Sequence, residues 1–183
     1  YQWDITKCMF SIGNITEKLR IAGFNCAGET VVDLFAGIGY FVLPYLVHAK
    51  AHHVHAFEIN PDSIAALKAN LKLNGVEDRC TIYEGDNRIT CPANIADRVN
   101  LGLIPTSELS WKSACNALKN DTGGILHIHA NIDSKKLISG ECYSKTEKKN
   151  KSTGPFKYPE WEEWTKYAIG NIEKLLRDVK GRD

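Results

Sequence analysis

The chain has 183 residues, 43% of them hydrophobic and 25% charged, and a formal net charge of +1. That length holds one ordinary domain with a core large enough to fold alone, and the composition excludes the disordered and fibrous classes. The balanced charge gives no global sign of a nucleic-acid partner. Apolar runs such as residues 40–47 are far too short to cross a bilayer, so no membrane partner is expected, and cysteines that read as reduced thiols fit a cytoplasmic location.

Tyr1 rather than Met stands first, so the chain reads as part of something longer. Asn14-Ile15-Thr16-Glu17 is a capping-box pattern that opens a helix running to about Ala22. Val31-Val32-Asp33-Leu34-Phe35 reads as a buried strand, followed by a glycine loop at residues 36–39. Residues 40–49 read as a helix that Pro44 distorts. Residues 54–59 are a second strand, after which Asn60-Pro61 opens a helix as N-cap and first helical residue. Ile64, Leu67 and Leu71 keep helical spacing there, and Asn74-Gly75 ends it. Residues 81–83 read as a third strand and 98–104 as a fourth. A helix over 107–119, a Gly123-Gly124 turn and a fifth strand over 125–130 follow. Residues 134–157 carry seven Lys against Glu141 and Glu147, a local charge of +5, and read as a long basic, solvated loop. From Pro159 onward, Trp161, Trp164, Ala168, Ile172, Leu175 and Val179 mark an amphipathic closing helix whose tryptophans belong to the core.

Strands alternating with helices imply an α/β fold with a mostly parallel sheet and right-handed crossovers. The cysteines, Cys8, Cys26, Cys80, Cys91, Cys115 and Cys142, form no C-x-x-C pair and read as reduced thiols. Two H-x-H pairs, His53/His55 and His127/His129, lack a carboxylate or cysteine at ligand spacing, so no metal is expected.

The chemistry sits at strand ends. The glycines Gly37 and Gly39 let a ligand approach the backbone after the first strand. Glu58 ends the second strand, 19 residues beyond Gly39, where a carboxylate can accept both ribose hydroxyls of an adenosine. Asp86 and Asn87 follow the third strand, placed to bond the adenine amino group and a ring nitrogen, although such residues also favour turns. A nicotinamide dinucleotide would call for a third glycine where Val42 stands. S-adenosylmethionine (SAM) has no pyrophosphate to cradle. It tolerates the looser pattern and suits the acid Asp33 just before the glycines.

Several runs carry a family resemblance: residues 6–18 (TKCMFSIGNITEK), 33–41 (DLFAGIGYF), 85–88 (GDNR), 95–105 (IADRVNLGLIP) and 123–129 (GGILHIH). Together they resemble the tRNA wybutosine-synthesizing protein 2 family, over almost the whole chain. Related tRNA guanosine N1-methyltransferases show Asn-Leu-Pro where this chain has the longer spacing from Asn100 to Pro105. The resemblance implies a Rossmann-like class I SAM-dependent methyltransferase fold, here without its last two strands. It divides the chain into a cofactor- and substrate-contacting segment (1–27), a SAM-binding core (28–133), the basic loop (134–158) and the closing helix (159–183). It also implies transfer of the 3-amino-3-carboxypropyl group of SAM to C7 of 4-demethylwyosine in tRNA(Phe), releasing 5′-methylthioadenosine, by a monomer. Ser11 and Lys18 match positions near the amino-acid end of SAM, with Lys18 pairing its carboxylate. Glu58 matches the ribose acid, and Asp86 with Asn87 the adenine contacts. Glu17 matches a proposed base, beside its capping-box duty, and the run from Asn100 to Pro105 would shape the substrate pocket. The alternatives are a guanosine N1-methyltransferase and a SAM-binding piece without catalysis.

Overall fold

The computed structural model describes residues 1–11, 14–132 and 159–181. The basic loop therefore lies outside the described residues. Five short strands, β1 (Thr30–Asp33), β2 (His53–Glu58), β3 (Cys80–Glu84), β4 (Arg98–Leu101) and β5 (Ile125–Ile128), form one parallel sheet in the order β3-β2-β1-β4-β5. The chain winds outward from β1 to β3, then returns to β4 on the other side of β1. The switch point therefore lies between β1 and β4. There Asp33 stands opposite Asn100, and Asn100 opposite His127, so one row of polar residues crosses three strands.

Helices α1 (Ile15–Ala22), α2 (Pro61–Leu73), α3 (Asn87–Thr90), α4 (Trp111–Ala117) and α5 (Pro159–Lys180) cover the sheet. A sheet covered on both faces needs apolar residues pointing both ways. Val31 joins Ile21, Leu46, Leu67 and Leu71 in one core, while Val32 joins Val99, Leu101, Trp111 and Ala168 in the other. Trp164, Ile172 and Leu175 of α5 pack on this second core. Trp161 is 42% exposed and stands apart from it, against the expectation that both tryptophans are core.

Other expectations are corrected. The segment Pro44–His48 is π-helical rather than α-helical. Pro44 has no N–H to give, and the chain closes instead through Ala49 N–H donating to the Pro44 carbonyl at 3.0 Å. The capping box does not form: Asn14 makes no side-chain cap bond, and Glu17 turns to Arg20. The fourth strand stops at Leu101 and the fifth at Ile128, because the residues beyond them leave the sheet to build the site. The helix expected over 107–119 is a 3-10 turn, Glu108–Ser110, followed by α4.

Arg98 is 7% exposed and fully engaged. Its guanidinium donates to Glu29 at 2.8 and 3.0 Å and to His127 Nε2 at 2.7 Å, and stands 5.1 Å over the Phe24 ring. His127 must accept that bond, so its imidazole is neutral. Burial, then Arg98 and Arg20, push its pKa down to about 4. The unfolded chain protonates this histidine near 6.5, so its contribution to stability is whole above that pH and is lost towards pH 4. His127→Gln keeps an acceptor for Arg98 but cannot titrate. Measured by denaturant melts, the stability of the variant relative to the parent should rise by about 3 kcal/mol between pH 6.5 and 4.

Candidate active site

A cavity of about 290 Å³ opens at the carboxyl ends of β1, β2 and β3. Its walls include Phe35, Glu58, Ile59, Asp86, Asn87 and Leu103. Asn87 sits at the start of α3 and is buried; its Nδ2 donates to the Leu34 carbonyl at 2.9 Å. That bond fixes the amide, leaving Oδ1 buried and without a partner among the described residues. An orphaned acceptor of this kind costs about 1–3 kcal/mol unless something donates to it. This oxygen is closed to solvent and does not open into the cavity, whose largely apolar walls suit a flat ring such as adenine. Ile59 is 71% exposed and Leu109 80% exposed although both line this cavity, which suits the faces of such a ring.

The other strand-end residues are placed as follows. The Glu58 carboxylate already accepts three backbone N–H bonds, from Gly37 at 2.7 Å, Ile59 at 2.9 Å and Asn60 at 2.8 Å. Ribose hydroxyls would therefore enter by exchange, with Gly37 giving way. Gly37 has φ +54°, a backbone conformation that favours glycine, and open space where a Cβ would point. Gly39 serves packing: a Cβ there would meet Leu67 at 3.0 Å. Asp86 caps α3 through Arg88 N–H and forms an ion pair with the Arg88 side chain, which pulls its pKa down to about 2.

Asp33 is fully buried. Its Oδ1 accepts from Phe35 N–H and Asn100 Nδ2, each at 3.2 Å, and burial pushes its pKa up to about 6. Asp33 Oδ2 and Asn100 Oδ1 are left without partners among the described residues. Asn100 is itself fully buried and is not among the residues that line this cavity. Pro105 follows a cis peptide and accepts Asn131 N–H at 3.0 Å.

Lys18 lies in an aromatic cage. Its Nζ stands 4.2 Å from the Phe10 ring centre, 4.6 Å from Tyr40 and 5.4 Å from Tyr1. Burial holds its pKa below the ordinary lysine value. Ser11 meets this cage through its carbonyl, which accepts the Tyr40 hydroxyl at 2.5 Å.

A second, polar cavity of about 580 Å³ lies beside the first, lined by Asn14, Glu17, Arg20, Ile104, His127, His129 and their neighbours. Between the two runs the loop after β4, which turns Leu103 to the first cavity and Ile104 to the second. Sequence reasoning missed Ile59 and His129. The first is signalled by its place directly after Glu58, the second by the H-x-H pair that was weighed only as a metal site.

The profile of the TRM5/TYW2 methyltransferase domain matches residues 1–154. The chain belongs to this family. A zebrafish (Danio rerio) relative, a tRNA wybutosine-synthesizing protein 2 homolog, is 53% identical over 188 residues, covering 100% of this chain and 46% of its own length. The chain thus spans about half the length of the curated relatives it matches. Methanocaldococcus jannaschii TYW2, solved in complex with AdoMet, superposes with a TM-score of 0.69 at 34% identity, over 76% of this chain and 63% of its own. Pyrococcus horikoshii TYW2, solved in complex with MeSAdo, gives 0.68 at 40% identity, over 77% and 52%. These likenesses agree with the Rossmann-like sheet described above.

Glu58→Ala should weaken SAM binding by about 2 kcal/mol, roughly thirty-fold by calorimetry. It should also lower the melting temperature, since Gly37, Ile59 and Asn60 lose their acceptor.

Proposed function

We propose that this chain carries the centre that transfers the 3-amino-3-carboxypropyl group of SAM to C7 of 4-demethylwyosine, 3′ of the anticodon in tRNA(Phe). This is a step of wybutosine biosynthesis that releases 5′-methylthioadenosine, performed by a cytoplasmic, monomeric enzyme. The observation that carries this reading is the 53% identity, over the whole chain, to a tRNA wybutosine-synthesizing protein 2 homolog. The cavity at the strand ends, lined by Glu58, Asp86 and Asn87, supports it from the chemical side.

SAM supplies a sulfonium whose three carbons are all activated, so the one that reacts is the one held in line with the nucleophile. The residues divide the work of aiming it. Asp86 with Asn87 bonds the edge of the adenine ring. Glu58 takes the ribose hydroxyls as Gly37 yields. Lys18 pairs with the amino-acid carboxylate from among its three rings, which supply an apolar bed that strengthens that pair. The loop between Asn100 and Pro105 separates the cofactor side from the substrate side.

Two measurements test this. SAM labelled separately in its methyl and carboxyl groups is given with tRNA(Phe) carrying 4-demethylwyosine. Carboxyl label entering the tRNA is expected; methyl label would instead mean a methyltransferase, and neither a binding piece. Lys18→Met should weaken SAM binding about tenfold while leaving the affinity for 5′-methylthioadenosine, which lacks the amino-acid arm, within a factor of two. Equal losses for both ligands would remove Lys18 from the carboxylate.

A further inference from the structure

Glu17 and Lys18 are neighbours on α1, yet they serve different surroundings. The Glu17 carboxylate is gripped by Arg20, whose Nε and Nη2 donate to it at 2.7 and 2.5 Å. That grip holds its pKa below the ordinary glutamate range, so Glu17 is a poor proton acceptor at neutral pH. His129, just beyond β5, lines the same polar cavity next to Glu17. Its side chain is 17% exposed, and its Nε2 is buried, makes no hydrogen bond among the described residues and lies 3.5 Å from Glu17 Oε1. Its ring centre is 5.2 Å from that of Phe41, which packs against Gly102 of the loop that parts the two cavities.

We propose that His129 is the proton acceptor of the transfer, with Glu17 as the carboxylate behind it. This rests on the aminocarboxypropyl reading above. Glu17 beside Nε2 favours the tautomer that carries its proton there and leaves Nδ1 as the free acceptor. As C7 of the substrate base bonds to the transferred carbon, the carbon–sulfur bond breaks and its electron pair leaves with the sulfur of 5′-methylthioadenosine. The C7 proton then passes to Nδ1, and the C–H electron pair restores the ring. The imidazolium that forms is stabilised by Glu17 and later gives its proton to water. Burial keeps His129 neutral beforehand, its pKa below the usual imidazole value, with Glu17 opposing that shift and Arg20 adding to it. Among the described residues, His127 and Arg98 are the other titratable and charged groups on this side of β4 and β5.

The test is single-turnover transfer of carboxyl-labelled SAM to tRNA carrying 4-demethylwyosine, followed from pH 5 to 9. The parent protein should lose rate as pH falls through an acid limb below 6.5. His129→Gln should bind SAM within about twofold of the parent, react about 10²–10³-fold more slowly and lose the acid limb. Should that variant fail to bind SAM through misfolding, Glu17→Gln decides: removing the carboxylate should move the acid limb to lower pH. A His129→Gln protein that keeps its rate or its acid limb, or a Glu17→Gln protein whose limb does not move, overturns the assignment while leaving the transfer reading intact. A parent protein that transfers no carboxyl label removes the transfer reading, and this one with it.

Discussion

The structure depends on one buried polar contact, the bond from Asn100 Nδ2 to Asp33 Oδ1 across the switch point. Strands β1 and β4 are neighbours there, but the chain leaves them in opposite directions, so the sheet opens into a crevice at its carboxyl ends. A fully buried carboxylate is costly, and here only a peptide N–H and one amide compensate it. Such a contact is retained where a polar floor is needed. From it rise the glycine loop on one side and the loop carrying Leu103 and Ile104 on the other. The cavity at the ends of β1 to β3 and the polar cavity lined by residues of β5 both open near these strand ends.

Around that floor, the site is built from groups committed to the fold before any ligand arrives. Glu58 holds three backbone N–H groups, Asp86 holds Arg88, and Glu17 holds Arg20. Binding in such a place is an exchange of partners. Asn87 Oδ1 and His129 Nε2, like Asp33 Oδ2 and Asn100 Oδ1, are instead left buried without bonds among the described residues.

Much of this was legible in the sequence. Strand cores made of Val, Ile and Phe, the Asn60-Pro61 helix start and the glycine pattern after Asp33 depend on local rules, and the structure follows them. The departures arise where a distant residue overrides a local preference. Glu17 has the spacing of a capping box but finds a guanidinium three residues on. Pro44 marks a distortion, yet only the observed bond to Ala49 makes it π-helical. The clamp of Glu58 on Gly37 spans 21 residues and needs the loop already folded. Arg98 reads as an ordinary strand residue until Glu29, Phe24 and His127 are seen to enclose it.

The polar row across β1, β4 and β5 has a consequence for proton balance. Asp33 at one end is pushed up to about 6 by burial, and His127 at the other is pushed down to about 4. At pH 5 the folded row therefore carries one proton, on the carboxyl. In the unfolded chain it also carries one, on the imidazole. Stability tied to Asp33 falls as pH rises between about 4 and 6, while that tied to His127 climbs by a similar amount over the same interval. Asp33 alone would make the fold base-sensitive and His127 alone acid-sensitive, so over this interval the proton demands of the two groups largely offset each other.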